Sequence, residues 1–174
     1  MITIIRPQSD EYAVFYAGYV GRVPEGADLF ALYAEQPGTL NMLVGSMTDE
    51  EAATPHKTGE WSVKQILGHI NDTERVFAYR ALRIGRGDTT PLAGFDQDQY
   101  VAGTDFNARS LQGLLDEFSA LRTANLLCFR VLTEAEVDRR GVASENPVSV
   151  RALLYVLAGH VMHHIESMKV DYNR

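Results

Sequence analysis

Four stretches of this chain repeat their apolar residues at helical spacing, and the two-residue alternation of a strand is nearly absent. That pattern commits most of the chain to helices that each bury one stripe, and therefore to helix packed on helix. The clearest stretch opens at Ser62, a helix cap whose partner three residues on is Gln65. Such a capping box satisfies two orphan backbone donors reciprocally. Trp61 before the cap and Ile66 after it are spaced to form a hydrophobic staple. No breaker follows until Gly85 and Gly87, and the inward stripe reads Ile66, His69, Ile70, Thr73, Phe77, Arg80 and Ile84.

The other three stretches are placed in the same way. One covers residues 28–47, with Leu29, Leu32, Leu40, Leu43 and Val44 apolar; Pro37 and Gly38 inside it predict a kink or a split. Another covers residues 110–132, with Leu111, Leu114, Leu115, Phe118, Leu121 and Phe129 on one face. The last begins at Ser149, a cap, and runs almost to the C-terminus with Leu153, Leu157, His160, His164 and Met168 inward. A short additional helix with exposed aromatics is expected over residues 10–19.

Loop lengths constrain the topology. Antiparallel neighbours in a bundle need only ~2–8 connecting residues. The stretch 88–109 is far longer, which suggests a crossover between parallel helices two and three. The expectation is all-α: a four-helix bundle running up-down-down-up. The segment 133–148 is also longer than a tight helical hairpin requires. With 174 residues, the chain suffices for one domain with its own core, spanning residues 1–174.

The chemistry concentrates in GHVMHH, residues 159–164. Residues four apart on a helix share a face, with Cβ atoms ~5–6 Å apart. That lets the imidazoles of His160 and His164 converge on one ion at ~2.0–2.1 Å per zinc–nitrogen bond. His163 is turned by roughly 100° and points to a flank. His69, on the stripe of the second helix, is available as a third ligand. Three imidazoles leave a position free for water or substrate, as a catalytic site requires. The alternative is a set of hydrogen-bonded core histidines, each needing a partner for its ring nitrogens. Spacing alone leaves both readings open.

Neighbouring residues suggest supporting roles. Thr73, one turn beyond His69, could hydrogen-bond a water or thiol at the ion. Asp72 could orient an imidazole or act as a base, or else pair with Arg75 or Arg80 as an exposed carboxylate. Arg80 could meet an anionic substrate or pair with an internal acid. Glu74 reads as structural, and His56 as solvated in its polar loop.

Three segments carry a resemblance: GEWSVKQILGHINDTERVFAYRALRIGRGD, PLAGFDQDQYV and VSVRALLYVLAGHVMHHIESMKVDY. They closely resemble the DinB/YfiT-like proteins, from Tyr12 to the C-terminus. The family's metal triad, one histidine on the second helix and a His-x-x-x-His pair on the fourth, falls on His69, His160 and His164. The resemblance implies a divalent metal cofactor, with zinc or nickel ahead of iron, manganese and copper. It further implies either a thiol S-transferase or a hydrolase acting on a small-molecule thiol or electrophile; the alternative is a non-enzymatic, stress-related metal-binding protein. After the last histidine some members continue Arg-Gly-Gln, whereas Ile165, Glu166 and Ser167 stand here. A homodimer, with the aromatic segment around Tyr12, Phe15, Tyr16 and Tyr19 as interface or cover, is expected by family habit.

Composition excludes other classes. A net charge of −7 argues against nucleic acid, whose phosphates need a basic face. No apolar run approaches the ~20 residues of a membrane span. The N-terminus turns polar at Arg6 without a signal-peptide core, so the cytoplasm is the expected location. The single cysteine, Cys128, lies among apolar neighbours and reads as a core residue rather than a nucleophile.

Overall fold

The capping signals mark the starts of three long helices. In the computed structural model, which describes residues 2–172, Ser62 and Gln65 close the expected capping box at the start of α4 (Val63–Gly85). Ser110 accepts from the Gly113 amide to open α6 (Leu111–Phe129). Ser149 does the same with the Ala152 amide at the head of α8 (Val150–Asp171). The fourth long helix, α2 (Leu29–Val44), is capped by Asp28, which accepts from the amides of Phe30 and Ala31. It runs unbroken through Pro37, so the expected split does not occur. Two side chains in the turn before the proline hold α2 to α8: the Tyr33 hydroxyl donates to the Leu154 carbonyl (2.7 Å) and the Gln36 amide to that of Ala158 (2.8 Å). The region expected to continue to residue 47 turns instead, and a separate α3 (Asp49–Ala53) follows.

Contacts between helices fix their directions. Tyr33 and Gln36 advance along α2 as their acceptors advance along α8, so these two are parallel. Asn71 donates to the Leu114 carbonyl, while Gly85 reaches Leu132 just past the end of α6, so α4 and α6 are also parallel. His69 meets His160 and Gly85 meets Val150, which makes α4 and α8 antiparallel. The bundle therefore runs up-down-down-up, with residues 86–110 as the crossover. That crossover carries the short α5 (Gln97–Ala102), capped by Asp96.

Two connections depart from expectation. The N-terminal aromatic stretch forms two single 3₁₀ turns and then α1 (Ala17–Arg22), rather than one helix over residues 10–19. Its tyrosines pack onto the core, leaving Phe15 as the exposed aromatic. Residues 133–149 hold α7 (Glu134–Val137) and a hairpin of β1 (Arg140–Ala143) and β2 (Asn146–Ser149), in the register Arg140↔Ser149 and Ala143↔Asn146. Its two-residue turn, Ser144–Glu145, has φ of 51° and 64°. This is the twist-matched geometry that Asn-Gly or Asp-Gly normally signals; Ser-Glu carries no such signal, so the hairpin was invisible in the sequence. Leu92 from the crossover pairs with Val142 and Ser144, tying the hairpin to the loop.

With α1 and the N-terminal segment around Ile4 on its outer side, α8 is buried all round from Ala152 to Val161. Among the described residues no helix is long and apolar enough to cross a membrane.

Candidate metal centre

Because α4 and α8 are antiparallel, one residue of α4 can face two of α8 a turn apart. His69 does so. Its Nε2 lies 2.9 Å from Nε2 of His160, which in turn lies 3.1 Å from Nε2 of His164. The three donor atoms all fall within 4.8 Å of one another, and the residues are 3%, 4% and 8% exposed. An imidazole Nε2 offers one proton or one lone pair. His160 Nε2 therefore cannot satisfy both neighbours by hydrogen bonding, yet both are at bonding distance. A cation at the meeting point would accept a lone pair from each, so the donor set fits a divalent ion.

Burial keeps these rings in the form a metal needs. Desolvation, aided by His163, lowers the pKa of His69 to about 4. Burial pushes His160 and His164 below the usual histidine value too, and their neighbouring rings add to it. All three are neutral at pH 7, with a lone pair to give.

Aromatic side chains hold the rings in place. Trp61, the staple residue before the α4 cap, stands 5.1 Å from the His69 ring. Tyr19 of α1 meets His160 edge-on at 5.4 Å and His163 at 5.6 Å. The Arg22–Glu166 ion pair, 3.0 Å, secures α1 to α8 beside them.

Two openings reach the histidines. A cavity of about 520 Å³ lies against His69 and His160, walled by Tyr16, Phe77, Phe95 and Thr73. A second, of about 420 Å³, lies against His164 and is polar, with His56, His163, Asp98 and Asp171. Gln97, at the start of α5, borders both.

The remaining residues singled out in the sequence separate clearly. Thr73 lines the larger cavity, and its buried hydroxyl has no hydrogen-bond partner. Asp72 lines neither opening; it lies among Arg75, Glu117 and Arg109, and its carboxyl pKa is raised chiefly by burial. Arg80 has no internal acid, against one of the two expectations. Its guanidinium donates instead to the Ala93 carbonyl (2.7 Å) and the Ser144 hydroxyl (2.9 Å), because the loop and hairpin bring oxygen atoms where no carboxylate reaches. Glu74 is structural, pairing with Arg122 at 3.1 Å inside the bundle and accepting from Asn125. His56 is exposed, against Tyr172 and 3.8 Å from Asp171. Phe95 and Gln97 escaped the sequence reading because they stand in the crossover, where no periodicity marks an inward face.

The sequence profile of the DinB superfamily matches residues 32–168, which include all three histidines. The chain belongs to the DinB superfamily. Among DinB relatives, a protein of Bacillus licheniformis provisionally named a metal-dependent hydrolase is 30% identical over 150 residues, covering 80% of this chain and 81% of its own. YfiT of Bacillus subtilis, with the same provisional name, is 26% identical over 134 residues and 75% of each chain. The solved structure of YfiT, described as a four-helix bundle of unusual topology, matches with a TM-score of 0.78 at 20% identity, covering 94% of this chain and 93% of that one. A mycothiol-dependent maleylpyruvate isomerase matches at 0.66 and 11% identity, over 80% of this chain and 59% of its own. Identity that low shows a shared fold alone.

Proposed function

We propose that this DinB protein is a divalent-metal-dependent enzyme of the hydrolase or thiol-transferase type, with His69, His160 and His164 as ligands and zinc or nickel as the ion. The observation that carries the reading is the convergence of three neutral imidazole nitrogens beside an open cavity. When bound, the ion supplies Lewis acidity and lowers the pKa of a water or thiol in its free position toward neutrality.

The chain's own residues complete the arrangement. The histidines give lone pairs and no protein nucleophile is required. Trp61 and Tyr19 fix the ring planes. Thr73 presents a hydroxyl beside His69, where it would hydrogen-bond the attacking atom or the reacting group. The hydrolase reading draws support from the relatives' names; the thiol reading draws on the resemblance of the motifs. A non-enzymatic metal-binding role would be better served by a fourth protein ligand closing the site; among the described residues the cluster holds three histidines and borders an open cavity, which supports the enzyme reading.

The test is metal analysis of untagged protein, wild type against His164→Ala, followed by hydrolysis and thiol-transfer assays with each metal. Stoichiometric metal that is lost in the variant, with metal-dependent turnover, supports the proposal. Trace metal unchanged by the substitution overturns it.

A further inference from the structure

Metal binding accounts for one end of the larger cavity. The cavity follows α4 away from the ligand His69, past Thr73 to Phe77, one helical turn at a time. Tyr16, edge-on to Phe77 at 5.7 Å, and Ser144 of the hairpin turn also line it. Immediately behind both stands Arg80, roughly three turns, or about 16 Å, along α4 from His69.

Arg80 is a buried cation without an acid. It is 2% exposed, and none of the ion pairs among the described residues includes it. Its Nη2 donates to two neutral oxygens, the Ala93 carbonyl (2.7 Å) and the Ser144 hydroxyl (2.9 Å). Its charge also faces the Tyr16 hydroxyl, where it opposes the rise in pKa that burial imposes on that phenol. The rings of Phe77 (5.1 Å) and Phe95 (5.8 Å) hold the guanidinium in place. A charge this deeply buried is normally paired, and neutral oxygens leave it uncompensated. Asp96, the one carboxylate that lines the cavity, is engaged elsewhere: it caps α5, accepting from the amides of Asp98 and Gln99.

Two hydroxyls turn this charge toward the cavity. A hydroxyl that accepts from a guanidinium keeps its own proton to donate. Ser144 and Tyr16 are so placed, each with Arg80 behind it and the cavity in front. We infer that the cavity takes a substrate with a carboxylate at the end remote from its reacting group, received by the Ser144 and Tyr16 hydroxyls and balanced by Arg80. The apolar body of that substrate lies between Phe77 and Phe95, and its reacting group reaches the histidines. One cation matches one negative charge, so a carboxylate is served, whereas a phosphate dianion would keep a charge uncompensated. The inference rests on the metal-centre proposal and specifies what that centre acts on.

The test uses cobalt(II)-loaded wild-type protein titrated with ω-mercaptohexanoate, ω-mercaptooctanoate and ω-mercaptodecanoate, each against its own amide. Within a pair the thiolate and the chain are the same and only the far charge differs. That charge lies too many bonds from the sulfur to close a favourable chelate ring on the ion. Binding is read from the cobalt–thiolate absorption bands. For the chain length that spans the cavity, the carboxylate is expected to bind about ten-fold tighter than the amide or better. In Arg80→Met the pair is expected to come within about two-fold, with the amide keeping its wild-type affinity. Loosened loops would weaken both ligands together, and coordination of the carboxylate to the ion would not need Arg80. A preference that survives in Arg80→Met therefore overturns the inference. So does a wild type that prefers the carboxylate at no chain length, or that binds none of the thiols; all these outcomes leave the metal centre standing. Cobalt spectra that are the same in wild type and His164→Ala overturn the metal centre itself, and this inference with it. If Arg80→Met fails to fold, Tyr16→Phe combined with Ser144→Ala keeps the cation and removes both hydroxyls. The preference is then expected to drop below about three-fold, and an undiminished one overturns the inference.

Discussion

Gly159 and Tyr19 are in backbone contact: a β-carbon at position 159 would stand 1.9 Å from the Tyr19 carbonyl oxygen. No rearrangement of a side chain can relieve that overlap, because the obstacle is main chain. The glycine before His160 is thus what lets α1 lie flat on α8 and bring Tyr19 to the histidine rings. Gly159→Ala is expected to push α1 off the bundle and to destabilise the protein by about 1–3 kcal/mol, the usual cost of overpacking. Urea denaturation measures the loss. Faster amide exchange confined to residues 17–22 would locate it.

The interior pair of Glu74 and Arg122 predicts a larger effect. Both are essentially inaccessible, and Arg122 also donates to the Leu157 carbonyl and stacks on Tyr33 at 4.1 Å. Glu74→Ala strands a buried guanidinium, and the expected loss is about 3–5 kcal/mol. Replacing both partners with hydrocarbon, Glu74→Leu with Arg122→Met, is expected to recover most of it. Denaturant midpoints of the three variants settle the comparison.

Acid stability follows from His69. Its pKa falls from the ordinary 6.5 to about 4 on folding, so between those values the unfolded chain binds more protons than the folded one. Stability must then rise with pH through that window. The contribution is complete above 6.5 and is lost as pH drops toward 4, amounting to about 3 kcal/mol from this one residue. Metal-free protein should show a urea midpoint that declines steadily from pH 7 to 4. His69→Gln should make the decline shallower without abolishing it, because His160 and His164 are also held below the usual histidine value by burial.

Arg80 anchors two loops, so its removal should loosen both without unfolding the bundle. In Arg80→Met, the amides of Leu92 and Ser144, which bond Val142 and Leu92 across the loop–hairpin contact, are expected to exchange faster. The amides of α4 should keep their protection. Uniform acceleration along the chain would show instead that the arginine supports the whole core.

The family and the candidate ligands were legible in the sequence because each rests on local rules. Ser62, Ser110 and Ser149 cap helices through hydrogen bonds three residues long, and His160 with His164 share a face by helical geometry alone. Even the direction of α6 relative to α4 could be inferred, since chain length limits what a connection can do. The crossover and the hairpin obey no such rule. Ser144 and Glu145 adopt a turn their residue types do not announce, because Leu92 and Arg80 hold that strand pair from elsewhere in the chain.

What the sequence determined by itself is thus which residues point inward: stripes are a property of one helix at a time. Only the tertiary structure decided what those residues meet. Pairing His69 across α4 and α8 with His160 and His164, sending Asp72 to the side of Arg109 and Glu117, leaving Thr73 without a partner and giving Arg80 two oxygen atoms in place of an acid all depend on contacts between segments far apart in the chain. Such contacts are set by how whole helices and loops pack, and no residue's neighbours in sequence encode them.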